Sequence, residues 1–179
     1  MENGASSYHR LKVENKEEIT EIVEQYGNHL VLFINGYVKN ITVSEDLMED
    51  TFMQLIIHKH YFRGESSLKT YLFKIARNKA LNYLKKNKNV FEIPEDYEDN
   101  KQLEEQILKN ETNKTIHYAL KQLTEDYSMV LYLLYFENLS YNEIGKVMKK
   151  SEKQIKNLAY RARNSLKEVL KEEGFNYEK

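Results

Sequence analysis

The tightest constraint on this chain is a helix-start signature that occurs twice in quick succession. Ser140 with Glu143, and Ser151 with Gln154, each have the Ser-x-x-Glu/Gln spacing of a capping box. In that arrangement the serine hydroxyl takes a backbone N–H of the first turn, and the acid or amide reaches back to the serine N–H. Leu139 and Ile144 flank the first box as a hydrophobic staple would. The spacing predicts helices over Tyr141 to Met148 and Glu152 to Glu172, joined by a short turn at Lys149 and Lys150. On a wheel of the second helix, Ile155, Ala159, Ala162 and Leu166 share one face, while Lys153, Asn157, Tyr160, Arg161 and Asn164 point the other way.

Two short helices joined by a tight turn, the second small inside and basic outside, match a helix-turn-helix. The first helix braces the second, whose N-terminal side chains then reach base edges in a major groove. Lys153, Gln154, Lys156 and Asn157 are the expected base-edge or phosphate contacts, with Tyr160 beside them and Arg161 and Arg163 as phosphate grips. The turn carries Lys149 where such motifs usually have glycine. Leu158 lies at the flank of the buried face, placed either to meet thymine methyls or to pack on a neighbouring helix. An ordinary helical hairpin with a solvated basic face would share much of this pattern.

The rest of the sequence agrees with an all-helical chain. Six glycines and one proline in 179 residues are too few for a many-turned β fold, and alternating β-branched runs are missing. Further helices are expected over Lys16 to Asn35, Ser44 to His58, Ser67 to Lys86, Leu103 to Leu123 and Glu125 to Glu137. Pro94 stands in an acidic stretch where apolar periodicity lapses. The fold expected is therefore all-α, with two small helical domains over 1–86 and 111–179 joined by an acidic linker over 87–110, the C-terminal domain being the helix-turn-helix.

Charge is distributed to match. The formal net charge is −1, yet positives crowd Lys59 to Lys88 with Glu65 the lone acid, and crowd Ile144 to Lys171 against only Glu152 and Glu168. Glu92, Glu95, Asp96, Glu98 and Asp99 lie between. Two polyanion-facing surfaces joined by a connector that repels nucleic acid account for this better than net charge does. Without cysteine there are no disulfides, thiolate zinc sites or cysteine nucleophiles. The longest apolar run, Met129 to Phe136, is too short to span a bilayer, and the N-terminus has no signal-like stretch, so a cytoplasmic protein without membrane insertion is expected. No cofactor or metal is expected. His58 and His60, at i and i+2, do not share a helix face and read as surface histidines.

A second dense passage begins with Glu45-Asp46-Leu47-Met48-Glu49-Asp50-Thr51-Phe52. It continues through Tyr61-Phe62-Arg63-Gly64-Glu65-Ser66-Ser67 into Thr70-Tyr71-Leu72 and Ile75-Ala76-Arg77-Asn78. Aromatics interleaved with positives suit unpaired DNA: Phe62, Tyr71 and Tyr83 offer stacking surfaces, while Arg63, Lys74, Arg77 and Lys79 follow the backbone. Packing is as good an account of Tyr71 as stacking.

In these two passages, in this order, the chain resembles the extracytoplasmic-function sigma factors of the sigma-70 class, from about Lys16 to Glu172. The first passage looks like the family's region 2, and Leu139-Ser140-Tyr141 through Arg161-Ala162-Arg163 looks like its region 4. The resemblance implies an alternative sigma factor, not an enzyme, that binds core RNA polymerase and directs initiation at promoters. It assigns Asp46, Leu47, Glu49, Asp50 and Phe52 to polymerase docking. It assigns Phe62, Arg63, Tyr71, Lys74, Arg77, Asn78 and Lys79 to an opened minus-10 element, and the helix from Lys153 to Arg163 to a duplex minus-35 element. It also implies an anti-sigma factor as partner, often membrane-bound in the family. Tyr71 stands where the family often has tryptophan, and Leu158 where it often has arginine. A regulator that binds duplex DNA without joining polymerase would explain Leu139 to Leu166 but leave Glu45 to Asn78 unexplained.

Overall fold

A computed structural model describes residues 16–58, 65–88 and 111–174. These form helices α1 (Lys16–Val38), α2 (Ile41–Ile57), α3 (Leu68–Lys86), α4 (Glu111–Lys121), α5 (Glu125–Tyr135), α6 (Tyr141–Met148) and α7 (Glu152–Glu172), with no strand among the described residues. The chain divides into two compact units, Met1–Asp96 and Tyr97–Lys179. The division falls within the acidic stretch.

In the N-terminal unit α1, α2 and α3 all pack on one another. The run Leu30 to Ile34 is buried without a break, because α1 is covered on two sides by α2 and α3. Phe33 is central: its ring meets Phe73 edge-on at 5.0 Å and Tyr37 at 5.4 Å. Each such side chain contributes roughly 1.5–3 kcal/mol by leaving water. The buried Tyr37 carries α1 past the expected end at Asn35, and Lys39 stops it in a left-handed conformation with φ 55°. The next helix starts earlier than Ser44, because Asn40 caps it by accepting the Val43 N–H at 3.0 Å. Ser44 lies inside that helix, its hydroxyl donating to the Asn40 carbonyl at 2.6 Å. For α3, Ser67 is the cap, accepting the Thr70 N–H at 3.2 Å.

The C-terminal unit is built around α5, which packs against α4, α6 and α7. Met129 to Leu133 are accordingly all buried. After Tyr135 the Phe136 and Glu137 N–H groups both donate to the Tyr132 carbonyl, at 2.9 and 3.3 Å, and Asn138 turns the chain with φ 54°. This ends the helix short of the expected Glu137. Glu137 is a buried carboxylate, 2% exposed, and it hydrogen-bonds the Tyr132 hydroxyl. Burial first, and Glu137 second, push the Tyr132 phenol well above its ordinary value. For α4, the expected start at Leu103 lies outside the described residues.

Candidate nucleic-acid interface

Both capping boxes form. Ser140 accepts the Glu143 N–H at 3.3 Å while Glu143 accepts the Ser140 N–H at 2.9 Å. Ser151 accepts the Gln154 N–H at 3.2 Å while Gln154 accepts the Ser151 N–H at 2.7 Å. The turn between α6 and α7 keeps the backbone shape that glycine usually serves: Lys149 is left-handed at φ 56°, ψ 44°. Close approach is supplied by Gly145 within α6, where an added Cβ would stand 2.6 Å from the Lys150 carbonyl oxygen. The Lys150 N–H closes the turn onto the Gly145 carbonyl at 3.0 Å.

Helix α7 divides by face as its sequence period requires. Ile155, Ala159 and Ala162 are buried, Leu166 is half-buried, and Lys153, Gln154, Lys156, Asn157, Tyr160 and Arg161 are exposed. The small alanines let α7 lie close against α5 and α6. Leu158 is half-buried and forms part of a groove wall with Gln154, Asn157 and Arg161, facing Thr124 to Tyr127 and Lys150.

Several of these side chains are already engaged. Lys156 pairs with Glu152 at 2.7 Å and stands 5.9 Å above the Tyr141 ring; its hydrogen bond to Glu152, aided by that carboxylate's charge, raises the ammonium above its ordinary value. Arg163 is half-buried, donating from Nε to the Tyr135 hydroxyl at 2.7 Å and from Nη2 to the Tyr141 hydroxyl at 3.0 Å. It ties α7 to α5 and α6, a role its sequence position does not announce. Lys150 is paired with Asp126 at 3.5 Å.

In the N-terminal unit, one face of α3 carries Tyr71, Lys74 and Asn78 at i, i+3 and i+7, with Lys74 exposed and the other two half-buried. Thr70, Leu72, Phe73, Ile75, Ala76 and Ala80 fill the opposite side. Arg77 and Lys79 lie on the flanks, half-buried, and the Arg77 Nε is buried without a hydrogen-bond partner among the described residues. Phe62 and Arg63 lie outside the described residues.

On α2 the structure corrects one expectation. Phe52 is 5% exposed and belongs to the core with Leu55, so it supports the acidic face from beneath and does not form part of it. The exposed stripe is Asp46, Glu49, Asp50, Met53 and Ile57, with Leu47 at its half-buried edge. Met53 and Ile57, 53% and 62% exposed, extend that stripe with apolar surface. Neither is among the residues that the docking motif points to. They continue the acidic face at i+3 and i+7 from Asp50, and that spacing is the signal that could have found them.

Family models match the two passages separately: Sigma-70 region 2 over residues 22–90 and Sigma-70 region 4 over residues 114–166. The extracytoplasmic-function sigma factor SigM of Bacillus subtilis is 31% identical over 169 residues, covering 89% of this chain and 99% of that protein. The chain belongs to the extracytoplasmic-function sigma factors of the sigma-70 family. SigX of the same organism is 27% identical over 170 residues, 88% of each chain. The solved sigma factor RpoE of Bartonella quintana, in complex with the anti-sigma factor NepR, shares the fold at 23% identity and TM-score 0.65, covering 87% of this chain and 98% of that one. CnrH, solved with the cytosolic domain of CnrY, shares it at 20% identity and TM-score 0.63. As a sigma factor the protein directs transcription initiation. The region 2 match accounts for the N-terminal passage that a duplex-only regulator leaves unexplained.

Proposed function

We propose that the two units divide promoter recognition between them, the first holding an opened minus-10 element and the second reading a duplex minus-35 element, with core RNA polymerase docked on α2. The observation that carries this is the contrast between the exposed faces. α3 offers an aromatic and amide-bearing stripe, Tyr71, Lys74 and Asn78, suited to unstacked bases and a phosphate backbone. The braced outer face of α7 is suited to a groove. Asn78 supplies both a donor and an acceptor, as reading the edge of a flipped base requires. Arg77 and Lys79, on the flanks of α3, and Arg63, before it, follow the adjoining backbone, while the Phe62 ring offers a stacking surface to an unpaired base.

On α2, Asp46, Glu49 and Asp50 offer the charge that steers docking onto a basic polymerase surface, and Met53 and Ile57 offer apolar area to bury. The mechanism is differential binding. Contacts to polymerase and to the melted strand offset the few kcal/mol needed to unstack each base step, so no catalytic group is needed. The site of action is the cytoplasm, with polymerase. No helix among the described residues is long and apolar enough to cross a membrane. An anti-sigma factor covering the α2 and α3 faces is the expected regulator; the complex of RpoE with the anti-sigma factor NepR supports that partner class.

Permanganate reactivity tests the division. With core polymerase and this protein together, thymines of the minus-10 element become reactive, and Asn78→Ala reduces that reactivity while leaving polymerase binding intact. Reactivity equal in wild type and Asn78→Ala would remove Asn78 from the melted-strand contact.

A further inference from the structure

The candidate reading residues of α7 are not equivalent once their partners are counted. Gln154 is committed to the capping box, Lys156 to Glu152, and Arg163 to Tyr135 and Tyr141. Lys153, Asn157, Tyr160 and Arg161 are exposed, and their side chains make no hydrogen bond, ion pair or ring contact with any described residue. Their spacing, i, i+4, i+7 and i+8, sets them in one stripe along the helix. The stripe left open by the fold is thus narrower than the basic face the sequence displays.

Tyr160 is the anomaly in that stripe. It is 66% exposed, more than Met53, Ile57, Tyr118 or Tyr135 among the exposed large apolar side chains. Its neighbours Ala159 and Ala162 do the packing, so the ring adds nothing to the unit's core. Lys153, Asn157 and Arg161 can all be satisfied by phosphates or polar base edges. A ring cannot, and the one apolar group on the floor of a major groove is the thymine C5-methyl. Asn157, one turn before Tyr160, has the amide geometry that pairs with adenine N6 and N7. Resting on the reading of α7 as the minus-35 helix, we propose that Tyr160 is a specificity-determining residue whose ring covers a thymine methyl in the minus-35 duplex, beside an adenine read by Asn157.

The test uses holoenzyme and a promoter on which it initiates, selected from a library, with each minus-35 thymine replaced in turn by deoxyuridine. This removes only the methyl. Wild-type holoenzyme loses roughly fourfold in affinity at one position, the worth of one methyl in an apolar contact. Tyr160→Phe keeps that sensitivity, because the ring and not the hydroxyl is at work. Tyr160→Ala binds more weakly at the start and shows no further loss at that position. The proposal is overturned if wild type is indifferent to every replacement, or if Tyr160→Ala keeps the wild-type sensitivity. It is equally overturned if Tyr160→Ala lowers binding to all promoters alike, which would mark the ring as a polymerase contact. In each of these cases initiation itself persists, so the sigma reading survives. If no library member supports initiation, that reading falls and the proposal falls with it.

Discussion

Replacing Lys149 by glycine should stabilise the C-terminal unit, although glycine usually does the opposite. Lys149 holds φ 56°, ψ 44°, a left-handed conformation that costs an L-residue about 1–2 kcal/mol and glycine almost nothing. Against this stands the larger entropy that glycine gives the unfolded chain, about 0.4–1 kcal/mol. The side chain is exposed, and the residue's N–H bond to the Gly145 carbonyl survives the change, so no contact is lost. The net expectation is a gain of about 0.5–1 kcal/mol, or about 3–6 °C in the midpoint of a unit this size. Thermal unfolding of the full chain, followed by far-ultraviolet circular dichroism, measures it. Lys167→Gly, at an exposed position within α7, provides the contrast and marks which transition belongs to the unit. It should cost about 1 kcal/mol, since there glycine only weakens a helix. If both glycines lower the same midpoint by similar amounts, the strain argument at Lys149 is wrong.

Two further outcomes follow from the same unit. Ser151→Ala removes one half of the second capping box and should cost about 1 kcal/mol in urea unfolding, with a larger loss of amide exchange protection in the first turn of α7 than at its C-terminal end. Tyr132, whose phenol is raised above its ordinary value, keeps more protons folded than unfolded in alkali. Its contribution is therefore complete below about pH 10 and is lost as pH rises past that value. Tyr132→Phe should abolish this alkaline loss in a pH series of unfolding midpoints, while lowering stability at neutral pH by about 1–3 kcal/mol because Glu137 loses a buried donor. An unchanged alkaline limb in that variant would assign the loss to another group.

What could be read from the sequence was whatever is local or periodic. The two capping boxes, the inward face of Ile155, Ala159 and Ala162, and the starts and ends of α6 and α7 need only spacing, and the structure has them as expected. Asn40 was passed over as a cap because Ser44, four residues on, has an equally good side chain for the role. Phe52 was assigned to a docking face from its place in a motif. Its angle on the α2 wheel puts it with Leu55 toward the core, so here the motif overrode the period. The partners of Arg163 and Lys150 come from other helices, and no spacing along one helix reveals a tyrosine or aspartate brought in from another. The sequence shows only that Lys149 stands where such turns usually have glycine; the left-handed φ stays at Lys149, while the close approach to the Lys150 carbonyl falls at Gly145, a distance between two turns that no spacing displays.

The most direct test of the central claim is transcription by purified core polymerase on a library of upstream sequences, with and without this protein. The account predicts that core alone initiates without preference. Adding the protein should select promoters with two separate elements, and Asn78→Ala should change the preference nearer the start site while leaving the upstream element as it was. Initiation that gains no specificity on adding the protein, with the protein alone footprinting duplex DNA, would contradict it.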